Sequence, residues 1–597
     1  MSVVSIRNLH YAYDPLLPGG EPISVLRGVD LDVEQGEFLS LMGPTGVGKT
    51  TLCMALNGLV PQATGGHIRG SVEVLGCDPR RTPVEELAAR VGIVYQDPES
   101  QLFCTTVQDE VAFGPENLGV AAQEIKERVE WALNVVGMSS YGDRSPNQLS
   151  GGEKQRVAIA ASLAMMPEVL ILDEPAASLD PVGRFQVFEA IEALCQQRRV
   201  TIIMVSHDAE HVAQFSDRVA VMWEGRLARV GTPSEIFFDR SLRDQVGFAI
   251  PQVSTLAMAL NSRYGTAYRF TRVDEAEEAL RRDIAEQQAF RKTSEVYSSG
   301  TAWPQSASAN EWMHRQDGLE DFGSLIRTQD LWYEYDATIP ALNGVDLSIP
   351  DNAYLAVVGQ NGSGKTTLVK HFNGLLKPTR GEVWVYGRST ESATVGELAH
   401  QVGYVFQNPD HQIFCATTWE EIAFGPRNLG LAPETVRARV SEALETFSLT
   451  PYAETPPAVL GYGLRRKVSI AAVYAMRPQI LILDEPSIGL DWRSTQELMA
   501  RVDELHDQGH TIILVTHDMR LVAEYTRQTL VMHEGGVLTY GPTEVVLCQT
   551  EQLKQAQIAP PQIARLAGRL TDLGFNGQAL SVEGFCVAYG ELWEGKA

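Results

Sequence analysis

Residues 43–50 read GPTGVGKT: Gly43, Pro44, Thr45, Gly46, Val47, Gly48, Lys49, Thr50. Residues 359–366 read GQNGSGKT: Gly359, Gln360, Asn361, Gly362, Ser363, Gly364, Lys365, Thr366. Both match GxxxxGK[ST]. Each follows an apolar, strand-like run (FLSLM, YLAVV) and precedes a helix-like run (TLCMALNGL, TLVKHFNGL) that opens on Thr51 and Thr367. That strand–loop–helix context is the one in which the motif cradles phosphates, and it makes the chain α/β. The glycines let successive N–H groups turn inward, and the helix N-terminus adds positive potential. Lys49 and Lys365 are then expected on the β and γ phosphates of a nucleoside triphosphate, and Thr50 and Thr366 on magnesium.

Working outward, the surroundings of the two loops repeat as well. LRGVDLDVEQGEFLSLM returns as LNGVDLSIPDNAYLAVV, VLILDEP as ILILDEP, and TIIMVSHD as TIILVTHD, in unchanged order. Whole domains are duplicated, not a short structural unit. Even the tails echo each other, AIPQVSTLAMAL against APPQIARLAGRL. The reading divides the chain into a first nucleotide-binding domain at 1–240, a small helical appendage at 241–291, a flexible linker at 292–324, a second nucleotide-binding domain at 325–547 and a second appendage at 548–597. The linker is rich in Ser, Ala, Gly and Gln without apolar periodicity, which suits a tether holding the halves at high effective concentration. A length of 597 residues agrees with roughly four domain-sized units.

Composition narrows the function. A net charge of −26 argues against a nucleic-acid binder, whose affinity comes from Lys and Arg on phosphates. The apolar content, 44%, fits a well-cored globular protein. The longest apolar runs are too short to span a bilayer, and the first residues lack the pattern of a secretion signal. Seven cysteines are scattered without a CxxC, so neither a disulfide framework nor a zinc site is indicated. The expectation is a cytosolic protein.

Each half also carries catalytic candidates. The strand-like runs at 169–172 and 480–483 end in Asp173-Glu174 and Asp484-Glu485. The aspartates suit magnesium; Glu174 and Glu485 are placed to polarise an attacking water. His207 and His517 follow β-rich runs and are expected to contact the γ phosphate from the strand ends.

At residues 149–160 the first half adds LSGGEKQRVAIA, and here the chain resembles the ATP-binding cassette (ABC) family. The resemblance implies two tandem P-loop NTPase cassettes, each with a helical subdomain, that pair head to tail as an intramolecular pseudo-dimer. Each ATP then lies between one phosphate loop and the other half's signature, so Ser150, Gly151 and Gly152 are carried over as ATP contacts. Gln96 and Gln407 match the glutamine that senses magnesium and the transport partner. Tyr13 and Tyr335 match the aromatic that stacks on adenine, with a core tyrosine as the competing reading. Ser178-Leu179-Asp180 and Gly489-Leu490-Asp491 match the loop that crosses the seam.

A closer resemblance, carried by QDPESQLF…DEVAFGPENLG, QNPDHQIF…EEIAFGPRNLG and the PPQIARLAGRLTDLGF tail, is to the duplicated ATPases of energy-coupling-factor importers of the cobalt or thiamine-precursor type. It implies ATP and Mg2+ as ligand and cofactor, an integral-membrane scaffold (T) component and a small substrate-capturing (S) component as partners, and a peripheral location on the cytoplasmic face of the membrane. Leu102, Phe103, Ile413 and Phe414 either line a groove for an amphipathic helix of a partner or belong to the core. The alternatives are a soluble tandem ATPase acting on ribosomes or DNA, and the motor of a binding-protein-dependent importer.

The second half departs from the family pattern at one place. Where LSGGE should recur it reads LGYGL, residues 460–464. Gly461 removes the serine hydroxyl, and Tyr462 replaces a glycine that lets backbone approach the nucleotide. Because signatures act across the seam, the expected damage falls on the site of Lys49, Asp173 and Glu174. The site of Lys365, Asp484 and Glu485 keeps an intact partner.

Overall fold

A computed structural model describes residues 2–15, 21–175, 187–188, 191, 200–294, 324–336, 339–575 and 579–594. In each half a six-stranded sheet carries the phosphate loop. Its order in the first half is Val91–Val94, Val169–Asp173, Thr201–Val205, Phe38–Met42, Arg218–Trp223, Arg226–Gly231. All neighbours are parallel except the last pair, which is antiparallel. The second half repeats the order with Val402–Val405, Ile480–Asp484, Thr511–Val515, Tyr354–Gly359, Gln528–His533 and Gly536–Pro542. Runs such as VLILD and TIILV are buried at every position, because a parallel sheet is covered on both faces and has no polar side to alternate with.

Two layers supply that cover. On one face lies an antiparallel sheet, Ile23–Glu34, Ser2–Tyr13 and His67–Val74 in the first half, which shares a core with the loop helix Lys49–Leu56 through Ile6, Leu26, Leu52 and Ile171. On the other, the helices Val107–Asn117, Ala122–Val135 and Gly151–Ala164 pack on Leu170 and Leu172. Thr418–Asn428, Pro433–Thr446 and Tyr462–Tyr474 do the same in the second half. The parallel strands therefore deliver their C-terminal ends, where ligands bind in such sheets, to a rim between these layers.

The C-terminal segments do not behave as two separate appendages. Gln252–Tyr264 and Val273–Ser294 of the first half share one apolar core with Gln562–Arg569 and Val582–Glu594 of the second, built on Leu256, Phe270, Leu566, Phe585 and Tyr589. Polar bonds cross it: Val253 N donates to Gln562 Oε1 (3.1 Å), Tyr264 Oη to Cys586 O (3.0 Å), and the Tyr268 and Tyr589 hydroxyls meet at 3.1 Å. Neither helical pair could bury its apolar stripe alone, and each uses the other. Residues 292–294, assigned to the linker from the sequence, lie inside the helix Val273–Ser294. Residues 295–323 of that linker and Ser178-Leu179-Asp180 lie outside the described residues.

Candidate functional site

Both phosphate loops leave a buried parallel strand and enter a helix whose preceding glycine is left-handed, Gly48 at φ 104° and Gly364 at φ 95°. A side chain on Gly43 would come within 2.3 Å of Met222 O and one on Gly359 within 2.4 Å of Met532 O, so the strand-to-loop corner admits only glycine there. Gly46 and Gly362, at φ near 80°, have open space around them. The two lysines are buried and bend over their own loops. Lys49 Nζ donates to Gly43 O and Pro44 O (both 2.8 Å); Lys365 Nζ donates to Gly359 O and Gln360 O (both 2.7 Å). Val47 packs under the first loop and Ser363 is buried in the second.

The acidic turns stand beside these lysines. Asp173 and Asp484 end buried strands at 4% and 1% exposure, and Thr366 Oγ1 donates to Asp484 Oδ2 at 3.0 Å. Asp484 Oδ1 is buried without a hydrogen-bond partner among the described residues. No group of three or more His, Cys, Asp or Glu assembles among the described residues. Threonine hydroxyl, carboxylate and glutamine amide oxygen, completed by phosphate oxygens, are the hard donors that magnesium takes. The donor sets Thr50, Gln96, Asp173 and Thr366, Gln407, Asp484 therefore fit that ion.

Glu174 and Glu485 sit in the left-handed region, φ 50° and 49°, a conformation that costs a bulky residue energy and is kept where the surroundings demand it. The demand is visible: each backbone N–H reaches across to the next strand, Glu174 N to Val205 O (3.0 Å) and Glu485 N to Val515 O (2.8 Å). The histidines meet these glutamates unequally. His517 Nδ1 lies 2.9 Å from Glu485 Oε1, and Thr516 Oγ1 donates to Glu485 Oε2 at 3.3 Å. His207 presents Nε2 to Glu174 Oε1 at 3.3 Å. Burial pushes the Glu174 carboxyl up to about 8 and the His207 imidazole down to about 3. Burial also acts on Glu485, but the charge and hydrogen bond of His517 hold its carboxyl below the usual range.

The halves meet over the Lys49 loop. Thr45 N donates to Asp491 Oδ2 at 3.1 Å, across the seam. A side chain on Gly463 would come within 2.9 Å of Thr45 Cγ2, and the Tyr462 ring covers Gly489. Backbone hydrogen bonds from Ser494 and Thr45 outweigh the effect of burial and hold Asp491 ionised below its ordinary range. A cavity of about 1220 Å3 runs along this seam, lined by Tyr13, Gln96, Asp173, Glu174 and His207 from one half and by Tyr462, Gly463 and His517 from the other. The sequence-derived set for the first site is thus brought together with the divergent LGYGL of the second half. Around the Lys365 loop the structure assembles Tyr335, Thr366, Thr367, Asp484, Glu485 and His517. Its expected counterpart loop, Ser178-Leu179-Asp180, lies outside the described residues.

Tyr13 and Tyr335 place their hydroxyls 3.2 Å from Thr51 Oγ1 and Thr367 Oγ1, at the mouths of the loops. Tyr335 is 59% exposed, which removes the core reading for it. Ser150 caps the helix Gly151–Ala164: its Oγ accepts from Glu153 N (3.3 Å) while Ser150 N donates to Glu153 Oε2 (2.8 Å), a reciprocal capping box.

The sequence reading left open whether Phe103 and Phe414 are core. They are 66% and 65% exposed, each edge-on to a half-exposed neighbour, Phe113 (4.8 Å) and Phe424 (4.7 Å), while Leu102 and Ile413 pack against the cores. Buried Glu110 and Glu421 hold these bends by accepting two backbone N–H groups each, at 2.9 and 2.7 Å in both halves. Two groups the sequence reading missed touch the second acidic turn: Tyr404 Oη donates to Asp484 Oδ2 (2.7 Å), and Arg466 lies behind Glu485. Aligning the halves position by position, Ile93 with Tyr404 and Gln155 with Arg466, is the signal that exposes them.

With that geometry in view, the comparisons are specific. The family model described as "ABC transporter" matches residues 26–177 and 342–488. A candidate ABC transporter ATP-binding protein of Caldanaerobacter subterraneus subsp. tengcongensis is 40% identical over 551 residues, covering 92% of this chain and 93% of that protein. Another, of Methanosarcina mazei, is 36% identical over 582 residues, covering 96% and 95%. The solved structure of cbiO1 from Clostridium perfringens, described as part of the ABC transporter complex cbiONQ, is 33% identical and covers 41% of this chain and 98% of that one, with a TM-score of 0.36. The chain belongs to the ABC transporter family of ATP-hydrolysing ATP-binding proteins and carries two of its cassettes in tandem.

Proposed function

We propose that the chain is the energy-coupling ATPase of an importer of the energy-coupling-factor type, serving uptake of a vitamin, vitamin precursor or transition metal, with one working and one degenerate composite ATP site. The observation that carries the two-site reading is the contact of Gly463 and Asp491 with Thr45, which supports pairing the LGYGL segment with the Lys49 loop. By the same pairing the Lys365 site takes Ser150, Gly151 and Gly152. In this reading residues 1–240 and 325–547 are the cassettes and the C-terminal helices form a joint clasp.

Hydrolysis follows from the residues at hand. Thr366, Gln407 and Asp484 would hold a magnesium ion together with the nucleotide phosphates, and the bound ion would supply charge neutralisation at the transferred phosphoryl group. Lys365 leaves its loop carbonyls for the β and γ oxygens. Glu485, ionised and fixed by His517 and Thr516, accepts a proton from the water aimed at the γ phosphorus. Tyr335 offers an exposed ring to the adenine.

Phe103 and Phe414 support the importer reading. Two exposed aromatic pairs, each pinned by a buried glutamate, recur at equivalent positions and suit the apolar faces of helices from a membrane scaffold. None of the helices among the described residues is long and apolar enough to cross a membrane, so the partners would supply the span, with this chain peripheral on the cytoplasmic face beside a T and an S component. The test is fractionation. Expressed alone, the chain is expected in the soluble fraction. Co-expressed with its membrane partners it is expected to sediment with them, and Phe103→Ser with Phe414→Ser should release it. Sedimentation with membranes that lack those partners would overturn the reading.

A further inference from the structure

The helix that starts at LGYGL continues RRKVSIA where the first half has KQRVAIA. The difference that matters is Arg466 in place of Gln155. Arg466 is 0% exposed, the largest fully buried side chain among the described residues. A guanidinium so placed must satisfy its N–H groups internally or leave them costly. It does so entirely on backbone carbonyls from two segments. Nη1 donates to Phe406 O and to Gln407 O (3.0 Å); Nη2 donates to Asp484 O and Glu485 O (both 2.7 Å); Nε points at Pro486 O, 3.5 Å away. One side chain thus ties the glutamine loop to the acidic turn.

Gln155 makes no such tie. Among the described residues its Nε2 reaches only Tyr95 O, at 3.3 Å, and its Oε1 is buried without a hydrogen-bond partner. Tyr404 strengthens the same place from the strand side by donating to Asp484, where the first half has Ile93. The second half therefore braces its acidic turn at two points at which the first half does not.

The brace has a direction. Arg466 lies one turn along the helix from Gly463, and Gly463 packs on Thr45 of the first phosphate loop. The helix N-terminus thus belongs to the Lys49 site, while the atoms Arg466 grips belong to the Lys365 site. We infer that Arg466 is a positioning residue that couples nucleotide at the degenerate Lys49 site to the setting of Gln407 and Glu485 at the working site. A nucleotide that shifts Tyr462 and Gly463 moves a rigid helix, and the guanidinium carries that shift to the carbonyls behind Glu485. The coupling is an interaction between two sites, and it rests on the proposed assignment of hydrolysis to the Lys365 site.

The experiment is a mutant cycle in the full-length chain. Turnover and the affinity of a fluorescent ATP analogue are measured for wild type, Arg466→Gln, Lys49→Ala and the double variant. Arg466→Gln installs the first half's own residue; it is expected to lower kcat at least tenfold with KM within threefold. Lys49→Ala is expected to change kcat in the wild-type background and to have no further effect beside Arg466→Gln. Arg466→Lys, which keeps charge but loses the fork, should recover only part of kcat. If Arg466→Gln fails to fold, Tyr404→Ile and Arg466→Lys take its place in the cycle. An equal effect of Lys49→Ala with and without the brace overturns the coupling. Should Lys365→Ala leave turnover intact, the site assignment fails instead, and the two failures are distinct.

Discussion

The helices beginning at Gly151 and Tyr462 start from the same backbone. Their caps, Ser150 and Gly461, sit at φ −64°, ψ 160° and φ −62°, ψ 157°. Yet Ser150 offers a hydroxyl and a capping box with Glu153, while Gly461 offers neither and Leu464 stands where the glutamate was. The two halves keep the same backbone at this cap while the side chains on it differ. The same holds one strand away, where two glutamates share a left-handed φ but His517 grips Glu485 at 2.9 Å and His207 stays 3.3 Å from Glu174. In the proposed reading the Lys49 site is thus the weaker on both sides of the seam, whereas Tyr404 and Arg466 brace the acidic turn of the other.

The largest effect should come from the lysine of the better-equipped site. Lys365→Ala removes a preorganised cation from the γ phosphate; by analogy with an oxyanion donor, about 2.7–4 kcal/mol of transition-state stabilisation is lost, roughly 10²–10³ in kcat. Lys49→Ala should cost far less. Steady-state phosphate release checks both, and comparable losses would erase the asymmetry.

Next in size is the contrast between glutamates. Glu485→Gln keeps Lys365, Thr366 and Asp484, so ATP should bind and persist unhydrolysed. Glu174→Gln alters a residue whose site faces Gly461 and Tyr462, so little hydrolysis is there to lose. Single-turnover measurement with radiolabelled ATP in the assembled transporter decides this. Equal losses in the two variants would mean that LGYGL works as a signature.

Much of this was legible in sequence because backbone constraints leave residue-type marks. Gly43, Gly48 and their repeats are demanded by close approach and positive φ, and the fully buried VLILD and ILILD runs mark parallel strands. LGYGL announced the divergence by itself. What sequence did not yield depends on side chains meeting across distance. The joint core of the C-terminal helices is built by Leu256 and Phe585, hundreds of positions apart, and no local pattern says that two amphipathic pairs will use each other. Arg466 was hidden for a different reason: a charged residue in a polar-looking helix turn reads as solvated, and only the fold reveals five carbonyls around it.

The smallest and most discriminating effect should come from repairing the second signature. Gly461→Ser with Leu464→Glu restores a capping box on a backbone already in capping geometry, worth a few tenths of a kcal/mol relative to glycine. Tyr462→Gly opposes it. The Tyr462 ring covers Gly489, and removing a half-buried aromatic plus placing glycine in the first turn of a helix costs about 1–3 kcal/mol. The packing loss outweighs the cap, so the triple variant should melt several degrees lower than wild type. Its chemistry should move the other way, since a serine hydroxyl and an unobstructed backbone then face the Lys49 loop. Measured in a Lys365→Ala background, where the stronger site is silent, single-turnover hydrolysis should rise above the unrepaired level even as the melting temperature falls. A variant that is less stable and no more active would place the weakness of the Lys49 site in the looser Glu174–His207 contact instead of in the signature.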